Sequence, residues 1–265
     1  MEAETLQLVT EHNARWAAAD LDGLFALYHP EMVFTDHYTG HRYVGEALRT
    51  HVTAVIKRSK LDSLTYTDRV RVDGDTATLR YREAIRSASG DALLTVTACD
   101  VVRVEHGLIV AIDEYAIPEQ GAEPVQVSRP AKKRALEPGN RMEKIGLSAR
   151  EIGYLLADLD AWMQTARPFC DAALSLQQVA AATGYTRNQI SFALNQVKGV
   201  SFFDYLNRIR VEYLLQAVPM PVEGGVVAWA EQAGFRSTST FYGAFRVVTG
   251  MSPAAWLTTR AVNTD

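Results

Sequence analysis

The chain has 265 residues, of which 48% are hydrophobic and 22% are charged, and its formal net charge is −4, so there is room for one large domain or two ordinary ones. No apolar run approaches the roughly 20 residues of a membrane span, and the acidic start MEAETLQLVTEHNARW is unlike a secretory signal. The two cysteines, Cys99 and Cys170, form no paired motif, so the composition excludes membrane and disulfide-stapled classes and predicts a cytoplasmic protein with no membrane partner.

The first 118 residues predict helices followed by a sheet. Apolar residues recur at helical spacing in Thr5–Ala19, DLDGLFALYHP predicts a second helix that ends at Pro30, MVFTD is a short strand, and Val44–Lys57 is a third helix. Four strands follow, separated by the turns DGD, SASGD and EHG: Leu64–Val72, Thr76–Ile85, Leu93–Val104 and Ile109–Ile117. This order indicates an α+β domain with helices on one face of a curved antiparallel sheet.

The order of these elements, together with AAADLDGLFALYHPEMVFTDHYTG, resembles the cone-shaped fold of nuclear transport factor two, ketosteroid isomerase and SnoaL-type cyclases. The resemblance covers residues 4–117. It implies that the concave sheet and the helices enclose a pocket for a small, mostly apolar molecule, which would be the effector of the protein.

Strand alternation indicates which side chains face such a pocket. In LLTVTACDVVRV, Asp100 shares a face with five apolar residues: Leu94, Val96, Ala98, Val102 and Val104. On the first strand Asp36 shares a side with Phe34, and on the first helix His12 lies one turn from Trp16. The predicted ligand-binding residues are His12, Trp16, Tyr28, Asp36, Tyr81, Asp100 and Tyr115.

The resemblance to ketosteroid isomerase implies more specific roles. Asp36 matches the general base, Asp100 matches the protonated carboxylic acid, and His12 stands where the isomerase has its oxyanion-binding Tyr, a departure from the full oxyanion hole. A carboxylate base opposite neutral donors can move a proton next to a carbonyl. Other roles stay open: Asp36 could close a turn, Asp100 could be a satisfied buried carboxylate, and His12 could be an ordinary helix residue. No spacing of His, Asp and Glu indicates a metal site, and nothing predicts a cofactor.

Residues 119–146 are predicted to be a linker, because Pro and Gly recur there with little apolar periodicity. Residues 1–125 contain 12 Lys and Arg against 20 Asp and Glu, whereas residues 141–265 contain 11 against 10, and all six His belong to the first part. This asymmetry predicts two domains, 1–118 and 147–265. The RPAKKR run in the linker could touch DNA phosphates or could be a solvated charge run.

Beyond the linker the patterns are helical. Three capping boxes open helices: Ser148–Glu151, Ser175–Gln178 and Thr186–Gln189. Ser201 opens a longer helix that Pro219 ends. Two segments have the pattern of a helix-turn-helix, in which a small residue allows close helix contact, a Gly makes the turn and apolar residues anchor the second helix. These residues are Ala180, Gly184 and Ile190 in the first motif, and Ala230, Gly234, Phe235 and Phe241 in the second.

The segment from about Ser148 to Leu257 resembles the AraC/XylS-type DNA-binding domain. The features that carry the resemblance are GYTRNQISFALNQVKGVSFFDYLNRIR, VVAWAEQAGF and STSTFYGAFRVVTGMSP. The resemblance implies an all-α domain with two helix-turn-helix motifs. It would set two recognition helices into successive major grooves of double-stranded DNA, about 34 Å apart.

The predicted base contacts are outward side chains near the start of each recognition helix: Arg187, Asn188, Ser191 and Phe192 in the first, and Thr238, Ser239, Thr240 and Tyr242 in the second. The predicted phosphate contacts are Lys198, Arg208, Arg236 and Arg246. Arg210 could join them or form a salt bridge within the domain, and Gln189 is expected to stay in its capping box. Family members often have a basic residue where this chain has Phe192 and Gly243, which predicts weak DNA binding by one copy and a homodimer as the binding form.

These observations predict a transcription regulator whose N-terminal domain senses a small molecule, dimerises, or does both. One alternative is an isomerase- or cyclase-like enzyme tethered to a DNA-binding domain. Another is a pocket domain that has become a dimerisation module without a ligand.

Overall fold

The computed structural model describes residues 1–59, 64–119, 145–217 and 224–262. It divides into two compact units, and the boundary falls between residues 157 and 158. The predicted linker lies almost wholly outside the described residues, as do its RPAKKR run and the proposed helix stop at Pro219. The predicted domain limits therefore stay predictions.

The first unit contains three complete helices and, in its described residues, a seven-stranded mixed sheet. The helices are α1 (Glu2–Ala17), α2 (Leu21–Ala26) and α3 (Gly45–Arg58). The strands are β1 (Tyr28–Asp36), β2 (His41–Val44), β3 (Leu64–Tyr66), β4 (Arg71–Asp73), β5 (Thr76–Arg86), β6 (Ala92–Glu105) and β7 (Leu108–Glu119). The sheet order is β2-β1-β7-β6-β5-β3 with β4 paired to β5, and only the β1–β7 pair among these described strands is parallel. The predicted α+β class is confirmed.

Helices α1 and α3 and the inner face of the sheet share one hydrophobic core. Val9 on α1 and Val52 on α3 are almost fully buried, and they belong to the same cluster as Leu79 on β5 and Val102 on β6. Burial alternates along β6, and the five apolar residues predicted to face inward are all buried. The predicted inward face of this strand is therefore confirmed.

The predicted end of the second helix is wrong. Helix α2 ends at Ala26 rather than at Pro30, and Pro30 lies within β1. The register of β1 against β7 shifts between Tyr28 and Val33, so Pro30 falls in an irregular stretch of the ladder. A proline is tolerated at such a place because its missing N–H interrupts no regular strand pairing.

The predicted strand Leu64–Val72 is also wrong, because two short strands, β3 and β4, replace it. Asp68 lies between them. Its carboxylate accepts hydrogen bonds from the backbone N–H of Arg69 (2.9 Å) and from the guanidinium of Arg71 (2.9 and 3.0 Å). A side chain that bonds to nearby backbone in this way competes with strand pairing.

Helix α4 (Ala149–Ala166) begins in the first unit, and its residues from 158 onward belong to the second. A 3-10 turn (Pro168–Cys170) follows, and then come helices α5 (Leu176–Thr183), α6 (Arg187–Phe192), α7 (Phe202–Ala217), α8 (Gly225–Gln232), α9 (Thr238–Thr249) and α10 (Pro253–Val262). Helix α6 continues into a π-helical turn, Ala193–Val197. This unit is all-α, as predicted, and no helix in the described ranges is long and apolar enough to cross a bilayer.

The four helix starts predicted from capping residues beyond the linker are confirmed. The reciprocal bonds of a capping box are present in Ser175–Gln178, Thr186–Gln189 and Ser148–Glu151. Ser201 opens α7 by accepting a hydrogen bond from the backbone N–H of Asp204 (3.1 Å). These bonds satisfy N–H groups that a helix start otherwise leaves without a partner.

Both predicted helix-turn-helix turns depend on a glycine with positive φ. Gly184 follows α5 with φ +79°, and Gly234 follows α8 with φ +81°. A Cβ atom on Gly234 would lie 2.6 Å from the carbonyl oxygens of Phe169 and Cys170, whereas one on Gly184 would meet nothing within 4 Å. The second motif has its own core, formed by Trp229, Ala230, Phe235, Phe241 and Phe245.

Candidate ligand cavity and nucleic-acid interface

The first unit encloses a cavity of about 50 Å³ between α1, α3, the inner face of the sheet and the first turn of α4. Aromatic side chains from four elements line it: Trp16, Tyr28, Phe34, Tyr66 and Tyr81. A cavity volume of about 10–15 Å³ is enough to hold one water. The cavity therefore has room for about three to five water-sized groups.

A buried guanidinium enters the cavity from the first turn of α4. Nε of Arg150 donates to Glu83 (2.7 Å), one terminal nitrogen donates to Glu114, and the other donates to the hydroxyl of Tyr81 (2.7 Å). All four side chains are buried. Burial by itself lowers the pKa of Arg150, but the neighbouring charges, that of Glu114 above all, raise this pKa well above its ordinary value.

Asp100 is the third carboxyl group of the cavity and, unlike the other two, it is not hydrogen-bonded to Arg150. Its oxygens lie 3.1 and 3.2 Å from the hydroxyl of Tyr81. Burial, and then the charge of Glu114, raises the pKa of Asp100 to about 8. A protonated Asp100 can donate a hydrogen bond to the hydroxyl oxygen of Tyr81. That hydroxyl then donates its own hydrogen bond to Glu114 (3.1 Å).

His12 lies in the cavity wall as a neutral imidazole. It is buried, and its Nε2 is 2.9 Å from the hydroxyl of Tyr28, a hydrogen-bonding distance. Burial lowers the pKa of His12 to about 4 and raises that of Tyr28. Both groups are thus uncharged at neutral pH. Of the predicted ligand-binding residues, the structure brings His12, Trp16, Tyr28, Tyr81 and Asp100 together around the cavity.

Asp36 and Tyr115 do not line the cavity, and their prediction as pocket residues is corrected. Asp36 is buried at the end of β1, where one carboxylate oxygen accepts hydrogen bonds from the backbone N–H of Tyr38 (2.7 Å) and Thr39 (3.2 Å). It closes a turn, which was the open alternative. Tyr115 is 50% exposed and stacks on the ring of His37 with centroids 4.2 Å apart, because odd-numbered residues in this part of β7 face away from the cavity.

Three residues that carry most of the cavity's charge were missed from the sequence: Glu83, Glu114 and Arg150. Strand parity could have found the two carboxylates, because Glu83 lies two positions from Tyr81 and Glu114 two from Ile112. Arg150 gave no comparable signal, since its position depends on where α4 packs. Within the described parts of the chain, no group of His, Cys, Asp and Glu is arranged to hold a metal ion.

The predicted base contacts on α6 differ in exposure. Arg187 and Asn188 are exposed, and Ser191 is half-buried with its hydroxyl 3.0 Å from the side-chain amide of Asn195, which donates to it. Phe192 is buried, together with the two residues that follow it, so this side of the helix packs inward. The prediction that Phe192 faces outward is therefore wrong, and Gln189 stays in its capping box as expected.

Helix α9 has four exposed polar side chains at the predicted base-contact positions: Thr238, Ser239, Thr240 and Tyr242. Gly243 is exposed beside them, and so are the predicted phosphate contacts Arg236 and Arg246. Arg208 is exposed but donates to Glu212 one turn on (2.7 Å). Lys198 is half-buried, and burial lowers its pKa.

Arg210 has a structural role. Its side chain is buried and donates to the carbonyl oxygens of Phe169 (2.8 Å) and Asp171 (3.0 Å). These bonds join α7 to the 3-10 turn. They are hydrogen bonds to backbone rather than the salt bridge that was the open alternative.

Comparison with known proteins finds two family matches. A family model described as a SnoaL-like domain matches residues 9–112, and one described as a helix-turn-helix domain matches residues 169–259. No curated protein matches the chain.

The solved structures to which the chain is similar include three NTF2-like proteins. One, from Mesorhizobium loti, has 23% identity and a TM-score of 0.36, and the match covers 43% of this chain and 92% of that chain. Another, from Cytophaga hutchinsonii, has 16% identity and a TM-score of 0.36, with 44% and 99% covered. A third, from Burkholderia pseudomallei, has 18% identity and a TM-score of 0.35, with 42% and 89% covered.

Proposed function

We propose that this chain, in which a SnoaL-like domain precedes an AraC-type helix-turn-helix domain, is a transcription regulator that binds specific DNA sites and senses a small molecule in its cavity. The observation that carries the proposal is the pair of capped helices α6 and α9. Each follows a glycine turn and has exposed polar side chains at its start.

The two helices are suited to different kinds of contact with DNA bases. Arg187 and Asn188 on α6 are exposed and can make bidentate contacts to guanine and adenine edges. The Ser and Thr side chains at the start of α9 discriminate less, and their methyl and hydroxyl groups suit thymine and shape contacts. We therefore assign most of the sequence specificity to α6.

Sensing would begin at the first turn of α4. Arg150 lies in this turn and contacts the cavity wall, while residues of the same helix from 158 onward belong to the DNA-binding unit. A ligand that binds this wall changes the surroundings of Arg150. Since few basic side chains are exposed at the predicted DNA surface, one copy would bind weakly, and a homodimer on paired half-sites would gain affinity from effective concentration.

The test is a selection of binding sites from random duplex DNA, followed by fluorescence anisotropy on the selected site. Asn188→Ala and Arg187→Ala are expected to lose more discrimination between selected and random DNA than Ser239→Ala, by about 1–3 kcal/mol for each lost bidentate contact. Arg103→Ala, on an exposed position of β6, is the control. A chain that shows no preference for any selected site contradicts the proposal.

Sensing is tested separately by thermal shift against a metabolite panel, because a ligand that binds the folded state raises its melting temperature by mass action. Hits are then added to the anisotropy assay, where a true effector changes the DNA affinity. The enzymatic alternative required Asp36 as a base in the cavity. Its position outside the cavity gives that alternative no support.

A further inference from the structure

We propose that the ligand of the cavity is a small organic cation, an ammonium group on a short alkyl or aryl body, which Asp100 holds between aromatic side chains. This inference rests on the proposed sensing function and specifies the chemical class of its ligand. The resemblance to the cone-shaped fold implies a small, mostly apolar ligand, and this inference adds that the ligand carries a positive charge.

The charges of the cavity wall favour a cation. Two buried carboxyl groups, Glu83 and Glu114, and the half-buried Asp100 face the cavity, and the single guanidinium among the described lining residues is bonded to Glu83 and Glu114. Among the described residues, Asp100 makes no hydrogen bond to a cationic side chain, although the charge of Arg150 counteracts part of the rise in its pKa. Carboxylates outnumber cations in this wall once Asp100 ionises, so an entering cation stabilises the ionised form of Asp100, whereas an anion is repelled.

The same cavity wall already contacts one cationic group, the side chain of Arg150. The guanidinium of Arg150 is held by carboxylates on β5 and β7, and its Cζ lies 5.6 Å from the centroid of the Tyr81 ring. This distance is within the range of cation–π contacts. The structure thus contains one example of cation recognition in the cavity that Asp100 also lines.

Aromatic rings line the same cavity as that carboxyl group. The hydroxyl of Tyr81 lies 3.1 Å from Asp100, and Tyr28 and Tyr66 belong to the cavity wall. Trp16 completes this part of the lining. Aromatic faces attract ammonium groups, and the attraction is stronger where water is excluded. The neighbouring His12 is neutral and does not oppose a cation.

The probes are n-butylammonium, n-butanol and n-butyrate, which share one apolar body and differ in the charge of the head group. The chain is kept short because the cavity has a volume of only about 50 Å³. We expect n-butylammonium to raise the melting temperature of the full-length protein, and the other two probes to have no effect at the same concentration. In isothermal titration calorimetry, Asp100→Asn is expected to weaken n-butylammonium binding at least tenfold.

Two further variants test whether binding depends on the carboxyl group and the aromatic rings of the cavity. Asp113→Asn removes a carboxylate that pairs with His37 outside the cavity, and it should bind n-butylammonium as the wild type does. Tyr66→Leu changes a ring that is 45% exposed, so the fold tolerates it, and it should weaken binding several-fold by removing an aromatic face.

The pH dependence of binding identifies the partner of the cation. Tetramethylammonium keeps its charge at every pH, so its affinity should rise between about pH 6 and pH 8 as Asp100 ionises, and then level off. The wall contains other titratable groups. Burial lowers the pKa values of His12 and His51 and raises those of Tyr28, Tyr66 and Tyr81. The remaining charged groups of the wall are Arg150, Glu83 and Glu114. The variant Asp100→Asn should show no such rise.

The outcomes separate this inference from the proposed function. If n-butanol stabilises the protein as well as n-butylammonium, or if Asp100→Asn binds the cation normally, the cation inference is overturned while sensing of a neutral ligand stands. Binding of none of the three probes also overturns the inference. Site-specific DNA binding is measured independently, so its loss alone would count against the regulator proposal.

Discussion

The charge state of the cavity depends on two residues, Asp100 and Arg150. Arg150 is bonded to two buried carboxylates and to the hydroxyl of Tyr81, and therefore holds the first turn of α4 in place. Asp100 shares that hydroxyl, and among the described residues it makes no hydrogen bond to Arg150. Truncating Arg150 and neutralising Asp100 should therefore have opposite effects on stability.

The substitution Asp100→Asn should remove a pH-dependent loss of stability. A carboxyl group whose folded-state pKa is about 8 keeps its proton in the folded state, while it ionises near pH 4 in the unfolded chain. Its contribution to the free energy of unfolding thus falls as pH rises from about 4 to about 8, by up to about 1.4 kcal/mol per pH unit. Urea denaturation at pH 5 and pH 8 measures the effect. A difference between wild type and variant that stays constant over this range contradicts the prediction, and Asp113→Asn is the control.

The substitution Arg150→Ala should destabilise the protein by about 3–5 kcal/mol, because it leaves two buried carboxylates without their counter-charge. The matched control is Arg82→Ala, which removes an exposed partner of Glu119 and should cost less than about 1 kcal/mol. The measurement is the free energy of unfolding in urea at neutral pH. Equal costs for the two variants would mean that the buried cluster is not a stabilising contact of α4.

At the scale of elements, the helix-turn-helix motifs depend on two glycines with nearly the same φ and different surroundings. At Gly184 an added side chain meets open space, so only the left-handed backbone opposes it. At Gly234 an added Cβ would run into two carbonyl oxygens of the 3-10 turn. That turn also accepts the hydrogen bonds of Arg210, so a shift there disturbs α7 as well.

We expect Gly184→Ala to lower the free energy of unfolding by about 1–2 kcal/mol, because an L-residue is strained in the left-handed region. Gly234→Ala should lower it distinctly more. Thermal denaturation of the two variants side by side gives the comparison. Similar losses would show that the close backbone contact at Gly234 relaxes without cost. Because Gly234 precedes α9, its variant should also lose DNA affinity at temperatures where the protein remains folded.

The sequence predicted elements well wherever the signal is local. Capping boxes, the alternation of β6 and the turn glycines each depend on neighbours within a few positions, and all were confirmed. The errors have two different causes. Pro30 lies in a strand because β1 pairs with the distant β7, whereas the segment around Asp68 breaks for a local reason, since its carboxylate accepts a hydrogen bond from the backbone N–H of Arg69.

At the scale of the whole molecule, charge is distributed unevenly along the chain. Residues 1–125 carry 20 Asp and Glu against 12 Lys and Arg, while residues 141–265 are nearly balanced. Of the four predicted phosphate contacts, Arg208 is paired with Glu212 and Lys198 is half-buried. Binding to DNA by one copy should therefore be weakly driven by counterion release.

For a single half-site, we expect a slope of log K against log salt of about −2 to −4, because two to four phosphate contacts each contribute about −0.9. Fluorescence anisotropy between 50 and 300 mM salt measures it. Arg236→Ala and Arg246→Ala should each reduce the steepness by about 1. A slope much steeper than −4 would mean that basic residues other than these four contact the backbone.

The sequence by itself determined the fold class of both parts, the helix starts and the inward position of Asp100, because periodicity, caps and strand parity act over a few residues. Only the tertiary structure decided that Arg150 joins Glu83 and Glu114 across the cavity, that Asp36 closes a turn and that Phe192 packs inward. Arg150 is 67 residues from Glu83 and 36 from Glu114 along the chain. No local pattern encodes such a meeting, since it depends on how a helix packs against a sheet formed by distant parts of the chain.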